Sequence, residues 1–392
     1  MKYALVYLNE IKYDDLAWTF VANGIDAEII DSGVSIDSTE ERDILRISEL
    51  LQTNSIDVAI SMNFCPAISD ACMVCNIIYF SWIYDSPQQA LYSRQLFNNC
   101  NYIFSFDKKQ TEEIKKLGGK NVFYLPLATN TIRNSRLSIT SEDIKRFSCD
   151  ISFAGSMYID NYYEVVESHS SEKLKEEMTG IIENAYGKWD GIDRLCNKLS
   201  SEALEELDIL LGAKDNPVYL ADHEKYIASK LFSVKLANME RVGISRKLGK
   251  MDFRLYTTSK EFYEPGVQIF QALSYEEELP KLYHLSKINL NITLHSIQSG
   301  VPLRVFDIMG VGGFVLTNYQ PEIEELFKVG EELEVFHTID ELEDKAKYYI
   351  MHENKRLHIA LNGYKTVIEK YSYDKQFTSM CNMAFGHDYV FL

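Results

Sequence analysis

Twice along this chain, short runs of unbroken apolarity alternate with longer polar stretches of helical period. The first series is Tyr3–Leu8, Ala27–Ile30, Ile56–Met62, Ile77–Trp82, Tyr102–Phe106 and Val122–Leu127. Each run is rich in Ile, Val, Tyr and Phe and lacks strict polar alternation. Strands covered on both faces of a parallel sheet have this character. Between them lie helix-like stretches such as Thr39–Asn54 and Lys108–Leu117, the latter stopped by Gly118-Gly119. Strand–helix alternation of this kind predicts a doubly wound α/β domain.

From Ala128 to Asp150 the sequence is polar and without strong periodicity, which reads as a linker. A second series then opens with Ile151–Gly155. A long acidic, helical stretch follows, Tyr162 to Gly249. The strand rhythm resumes at Phe253–Thr257, Val267–Phe270, Ile288–Thr293, Phe314–Thr317 and Leu333–Phe336. Two helices, Ile339–Glu353 and Lys355–Tyr371, come next. The expected organisation is an N-terminal Rossmann-like domain, 1–147, and a second one, 148–370, with a helical insertion at about 160–250. Two such domains in tandem enclose a cleft at the C-terminal ends of their strands, where open α/β sheets bind ligands.

Composition narrows the function. The formal net charge is −18, with 46% apolar and 25% charged residues. That surface repels nucleic acid and anionic lipid, but leaves room for a local basic pocket. No apolar run approaches the roughly 18 residues that span a bilayer. The first eight residues read as a strand rather than a signal peptide, so the expectation is a cytoplasmic chain with reduced thiols. Cys72 and Cys75 have CxxC spacing, which fits buried structural thiols or a metal or redox pair, but no second pair or His cluster completes a zinc site. Asp14-Asp15 lies in a helix-like stretch and is not a metal-binding DxD loop. GxSxG, HExxH and P-loop patterns are missing.

The most informative segment runs from Ser299 to Thr317. It follows the strand Ile288–Thr293. Ser299-Gly300 forms a turn, Pro302 suits the first turn of a helix, the helix reaches about Gly310, and Gly312-Gly313 stops it before the next strand. A helix that starts at a strand's C-terminal end points free amides, and the positive end of its dipole, into the cleft. Those amides suit a diphosphate. Arg304 in the early turns adds a charge, and Asp307, three residues on, shares its face and suits the hydroxyl pair of a ribose. The same spacing also fits an ion pair on a surface helix.

Ser299-Gly300-Val301-Pro302-Leu303-Arg304-Val305-Phe306-Asp307, followed by Gly312-Gly313-Phe314-Val315-Leu316-Thr317, resembles the donor motif of CgeB-like (spore-maturation type) glycosyltransferases of the GT-B superfamily. The resemblance covers about Trp82 to Phe377 and is strongest at 288–317. It implies two Rossmann-like domains and a nucleoside diphosphate sugar donor, a UDP-sugar favoured. It also implies a protein or cell-surface glycan acceptor and no bound metal. The donor contacts would be Ser299, Gly300, Val301, Pro302, Arg304 near the pyrophosphate and Asp307 on the ribose. The wider retaining families carry a glutamate seven residues before that acid, where this chain has Gly300. The departure points towards inversion with a base from the opposite domain.

Other residues match the same family. Ser81-Trp82-Ile83-Tyr84-Asp85-Ser86-Pro87 resembles its W-x-x-D-x-P stretch, which makes Asp85 a candidate general base. A cleft-lining role without catalysis, or an Asp-Ser-Pro cap or turn, fits the residues as well. His295 is placed to meet the diphosphate or donor sugar, or is an ordinary hydrogen-bonded loop residue. Gly155-Ser156, with Tyr158 as a weaker addition, resembles the family's F-x-G-S turn. Tyr275 lies where such proteins meet the nucleobase, and fits core or surface equally. Tyr371-Ser372-Tyr373-Asp374 and the tail to Leu392 resemble the crossover that returns to the N-terminal domain. A non-catalytic nucleotide-sugar binder and a nucleotide-sugar epimerase of the same fold stay open as alternatives.

Overall fold

The computed structural model describes residues 1–9, 14–212 and 223–386. In the N-terminal half, six parallel strands form one sheet: β1 (Tyr3–Tyr7), β2 (Ala27–Asp31), β3 (Val58–Met62), β4 (Ile78–Ile83), β5 (Asn101–Ser105) and β6 (Val122–Tyr124). Their order is β2-β1-β3-β4-β5-β6. Successive side chains serve opposite faces, as a pleated strand demands. Along β3, Val58 and Ile60 enter one core while Ala59 enters the other. The helices α1 (Asp14–Ala22), α2 (Glu41–Thr53), α3 (Pro66–Cys75) and α4 (Lys108–Leu117) connect the strands. Asp107 caps α4, accepting from the amides of Lys109 and Gln110. Cys72 and Cys75 lie on α3 as free thiols, and burial holds the Cys72 thiol protonated.

The stretch from Ala128 to Asp150 is not the plain linker that its composition suggests. It holds α5 (Thr131–Ser135) and α6 (Ser141–Phe147), the latter opened by a capping box between Thr140 and Asp143. These helices bury almost nothing beyond Phe147, so no apolar period marks them in the sequence.

The second sheet contains β7 (Cys149–Ala154), β8 (Phe253–Thr257), β9 (Gln268–Gln271), β10 (Ser286–Asn291), β11 (Val315–Asn318) and β12 (Glu334–Phe336), in the order β12-β11-β10-β7-β8-β9. All its pairings are parallel. Between β7 and β8 lie the insertion helices α7 (Tyr163–His169), α8 (Glu172–Ala185), α9 (Ser201–Leu211), α10 (His223–Ile227) and α11 (Ser233–Leu248). The helices α12 (Glu278–Leu285), α13 (Leu303–Gly310), α14 (Ile323–Leu326), α15 (Ile339–Met351) and α16 (Glu353–Lys370) complete this half. In both sheets the winding reverses once, between β1 and β3 and between β7 and β10. The crevice beyond the strand ends at such a reversal is where open sheets bind ligands.

A last helix, α17 (Tyr373–Phe385), packs on the N-terminal sheet. Phe377 meets the rings of Tyr3 and Phe20, and Tyr373 meets Trp82. Residues 387–392, the end of the predicted crossover, lie outside the described residues. One apolar core runs through both halves, joining Leu5 and Phe80 to Val305 and Phe306. Among the described residues no helix is long and apolar enough to cross a membrane.

Candidate functional site

A cleft of about 390 Å³ opens between the halves at the β7/β10 reversal. Gly155 and Ser156 leave β7 on one side, and Pro302, Leu303, Arg304 and Asp307 line the other. Tyr84 closes it from the N-terminal domain. Pro302 occupies the cap position of α13 rather than its first turn, with an extended ψ of 155° and no side-chain cap. Proline has no side-chain acceptor to cap the helix mouth, so the Leu303 and Arg304 amides of α13 stay available to the cleft.

Arg304 and Asp307 share the face that the sequence predicts, but they are not an ion pair. Arg304 Nη1 donates to Asn291 Oδ1 at 3.0 Å, and its guanidinium lies 5.5 Å over the Phe153 ring. Asn291, fully buried at the end of β10, is held by Thr293 and Thr317 hydroxyls, each 2.9 Å from its Nδ2. Gly155 makes room beside this arginine: a Cβ there would stand 3.0 Å from the Phe153 ring and 3.4 Å from Arg304 Nη2.

Asp307 is buried and belongs to a cluster that crosses the domain boundary. The Tyr275 hydroxyl sits 3.1 Å from Asp307 Oδ2 and 3.2 Å from Asp15 Oδ2. Arg133 Nη1 pairs with Asp15 Oδ1 at 2.9 Å and Nη2 reaches Asp307 Oδ1 at 4.0 Å. The same guanidinium lies 4.8 Å over the Tyr275 ring. Burial, with help from the Asp15 carboxylate, lifts the Asp307 pKa to about 7 against the pull of Arg133.

Ser299 and Gly300 face elsewhere. Ser299 Oγ lies 2.6 Å from Asp107 Oδ1 and 2.7 Å from Glu322 Oε1, and Gln298 N donates to Asp107 Oδ2 at 3.1 Å. A Cβ on Gly300 would come within 2.8 Å of the Phe106 ring. This turn therefore joins the two domains, and Val301 beside it is core. A hydroxyl has one proton for two carboxylates. Burial raises the Glu322 pKa, which eases the crowding of two carboxyls around that hydroxyl.

His295 Nε2 contacts Glu240 Oε1 at 2.8 Å and its ring stacks on Trp189. Burial works against its charged form, yet Glu240 prevails and the pKa is raised. Asp85 is exposed and follows the cleft-lining Tyr84 without lining the cleft itself, and Asn63 Nδ2 donates to its Oδ2 at 2.7 Å. Desolvation of its carboxyl raises its pKa, while the Asn63 hydrogen bond and the Lys230 charge work the other way.

Residues 239–382 match the model of a family described as glycosyl transferase-like. That segment starts within α11 and holds Tyr275, His295, Arg304 and Asp307. No curated protein matches the chain. Among solved structures, HepE of Anabaena in complex with UDP is 9% identical, over 98% of this chain and 99% of that one, with a TM-score of 0.52. A glycosyltransferase from Rickettsia africae is 12% identical over 98% of both chains, at 0.54. Sucrose-phosphate synthase from Thermosynechococcus elongatus is 8% identical over 98% of both, at 0.53. These likenesses establish the fold as that of GT-B glycosyltransferases, two parallel-sheet Rossmann-like domains.

Several residues around the cleft are unmarked in the sequence. Asp15 sits on the first helix and Arg133 in the apparent linker. Asn291 looks like any strand end, and Arg241 lies deep within the insertion. Asp14-Asp15 carries the only visible signal, and its spacing suggests a helix start rather than a cleft residue.

Proposed function

We propose that the chain transfers a sugar from a nucleoside diphosphate sugar, a UDP-sugar favoured, to an acceptor hydroxyl on a protein or cell-surface glycan. One observation carries this reading: Arg304 and the open start of α13 lie at the β7/β10 reversal, with buried Asp307 one turn further on in the same cleft. The diphosphate would lie against the Leu303 and Arg304 amides and the Arg304 side chain. The ribose hydroxyls would donate to Asp307. The UDP held by HepE, with which this chain shares its fold, supports uracil as the base.

Transfer is a single displacement in this reading. Asp85 takes the proton of the acceptor hydroxyl, whose oxygen attacks the anomeric carbon. The bond from that carbon to the diphosphate oxygen breaks, and the nucleoside diphosphate leaves with the bonding pair. Arg304 and the helix amides meet the charge that develops on the leaving group without a metal. The raised pKa of Asp85 suits a base. The short contact with Glu240 supports a loop-positioning part for His295. The CgeB-like motif supports placing the enzyme among transferases of that type.

A thermal-shift panel of UDP, GDP, dTDP and CMP tests the donor assignment. The expected result is stabilisation by UDP, lost in Asp307→Ala and reduced in Arg304→Ala. Wild-type nucleotide affinity in both variants would remove the assignment. Asp85→Asn should slow transfer by about a hundredfold or more while leaving nucleotide binding near normal.

A further inference from the structure

Arg241 on α11 is an expensive residue to bury. It is 4% exposed, and among the described residues no carboxylate lies within ion-pair distance of it. Its nearest acidic neighbour, Glu240, is turned to His295 Nε2 and to the Gly187 amide instead. Arg241 spends its own donors on two backbone carbonyls, Ser156 O at 2.5 Å and Ile292 O at 2.8 Å, and its Nε is buried without a partner. A buried guanidinium without an ion-pair partner is costly unless something offsets it.

Those two carbonyls matter because of where they are. Ser156 is in the loop after β7 and Ile292 follows β10, so one side chain ties together the two loops that flank the winding reversal. The guanidinium lies 5.1 Å from the Phe153 ring and 4.8 Å from the Tyr158 ring. Arg304 lies over the same Phe153 ring, at 5.5 Å. Burial lowers the Arg241 pKa to about 10, and the Arg304 charge adds to the fall while Tyr158 and Glu240 resist it. Two like charges are thus held around one phenyl ring and the Gly155-Ser156 turn, with no carboxylate between them. Tyr158, whose ring meets Arg241, has a left-handed φ of 49°, a conformation that non-glycine residues hold only under constraint from their surroundings.

We propose that Arg241 is a positioning residue for the donor's diphosphate. It locks the Ser156 and Ile292 carbonyls so that the turn presents the Ser156 amide, the Gly155 amide being held by Tyr256 O at 2.9 Å. It also places a second buried positive charge behind Arg304 for the incoming anion to neutralise. The insertion helix α11 is on this account part of the donor site rather than an appendage. The inference rests on the nucleoside diphosphate reading of the cleft.

The test compares UDP, uridine and inorganic pyrophosphate on wild type, Arg241→Met and Arg241→Lys, by calorimetric titration. The wild type is expected to bind UDP more tightly than uridine, and pyrophosphate should compete with UDP. Arg241→Met should lose about tenfold or more of that diphosphate increment, with uridine affinity unchanged. Arg241→Lys keeps the charge but reaches only one carbonyl, and should recover part of the increment. A residue that merely supports the fold would weaken uridine and UDP alike and gain nothing from lysine. If Arg241→Met does not fold, a wild-type UDP-to-uridine ratio in Arg241→Lys overturns the proposal. An unchanged ratio in Arg241→Met overturns it while the donor assignment stands. A wild type that binds neither UDP nor pyrophosphate removes both.

Discussion

Asp307 carries the most direct consequence at the scale of one residue. Its carboxyl has a pKa near 7, raised by burial and by Asp15, so the free protein holds a proton there below neutrality. A protonated carboxyl has lost part of its capacity to accept from a ribose. Nucleotide binding must then expel the proton, and affinity falls as pH drops through 7, by up to about tenfold per unit. Asp307→Asn should flatten this step. The dependence left in that variant belongs to the terminal phosphate, whose own second pKa is about 6. Calorimetric titration of UDP between pH 5.5 and 8.5, roughly one and a half units either side of the carboxyl, reads both effects. A slope identical in variant and wild type would assign the whole dependence to the ligand. Tyr275 bears on the same carboxylate, since its hydroxyl holds positions that a ribose would take.

The turn before α13 shows what a single element discloses in sequence and what it hides. Its strand–turn–helix–glycine order is legible because glycine, proline and an apolar stripe mark each boundary. The direction in which Ser299 points is not legible, because it depends on Asp107 and Glu322, which lie 192 and 23 residues away. Strand positions in both sheets follow from their apolar runs to within a residue or two, except that β6 stops at Tyr124, three residues before the end of its run. The helices α5 and α6 escape because they are short and exposed. Asp15, Arg133 and Arg241 reach the cleft only through tertiary packing. The placement of Ser299 has a measurable result. Ser299→Ala leaves two buried carboxyls without their shared hydroxyl and should cost about 1–3 kcal/mol of stability. Nucleotide affinity should stay within about twofold, since the hydroxyl does not line the donor cleft. Thermal denaturation with and without UDP separates the two, and a selective loss of affinity would return Ser299 to the donor site.

Across the whole molecule, α17 decides how the halves are tied. The chain leaves the C-terminal half at α16 and returns to the N-terminal sheet as α17, so the two domains are joined covalently at α5–α6 and again by a packed helix. The backbone adds a contact where Thr129 N donates to Tyr371 O at 2.9 Å. Phe377 anchors the returning helix: it is fully buried, 4.6 Å from the Phe20 ring and 5.3 Å from Tyr3. Truncating it removes a large side chain from a core that cannot collapse around the space, at a cost of about 3–5 kcal/mol. The loss falls on the N-terminal domain, because every one of those rings belongs to that domain or to α17. Phe377→Ala should therefore split calorimetric unfolding into two transitions. The lower one should shift down by about 2–4 °C per kcal/mol and ignore UDP. The upper one should still rise with UDP, because Arg304, Asp307 and the Gly155-Ser156 turn all sit in the other half. A single transition that moves as one unit would mean that the shared apolar core, rather than α17, sets the cooperativity of the molecule.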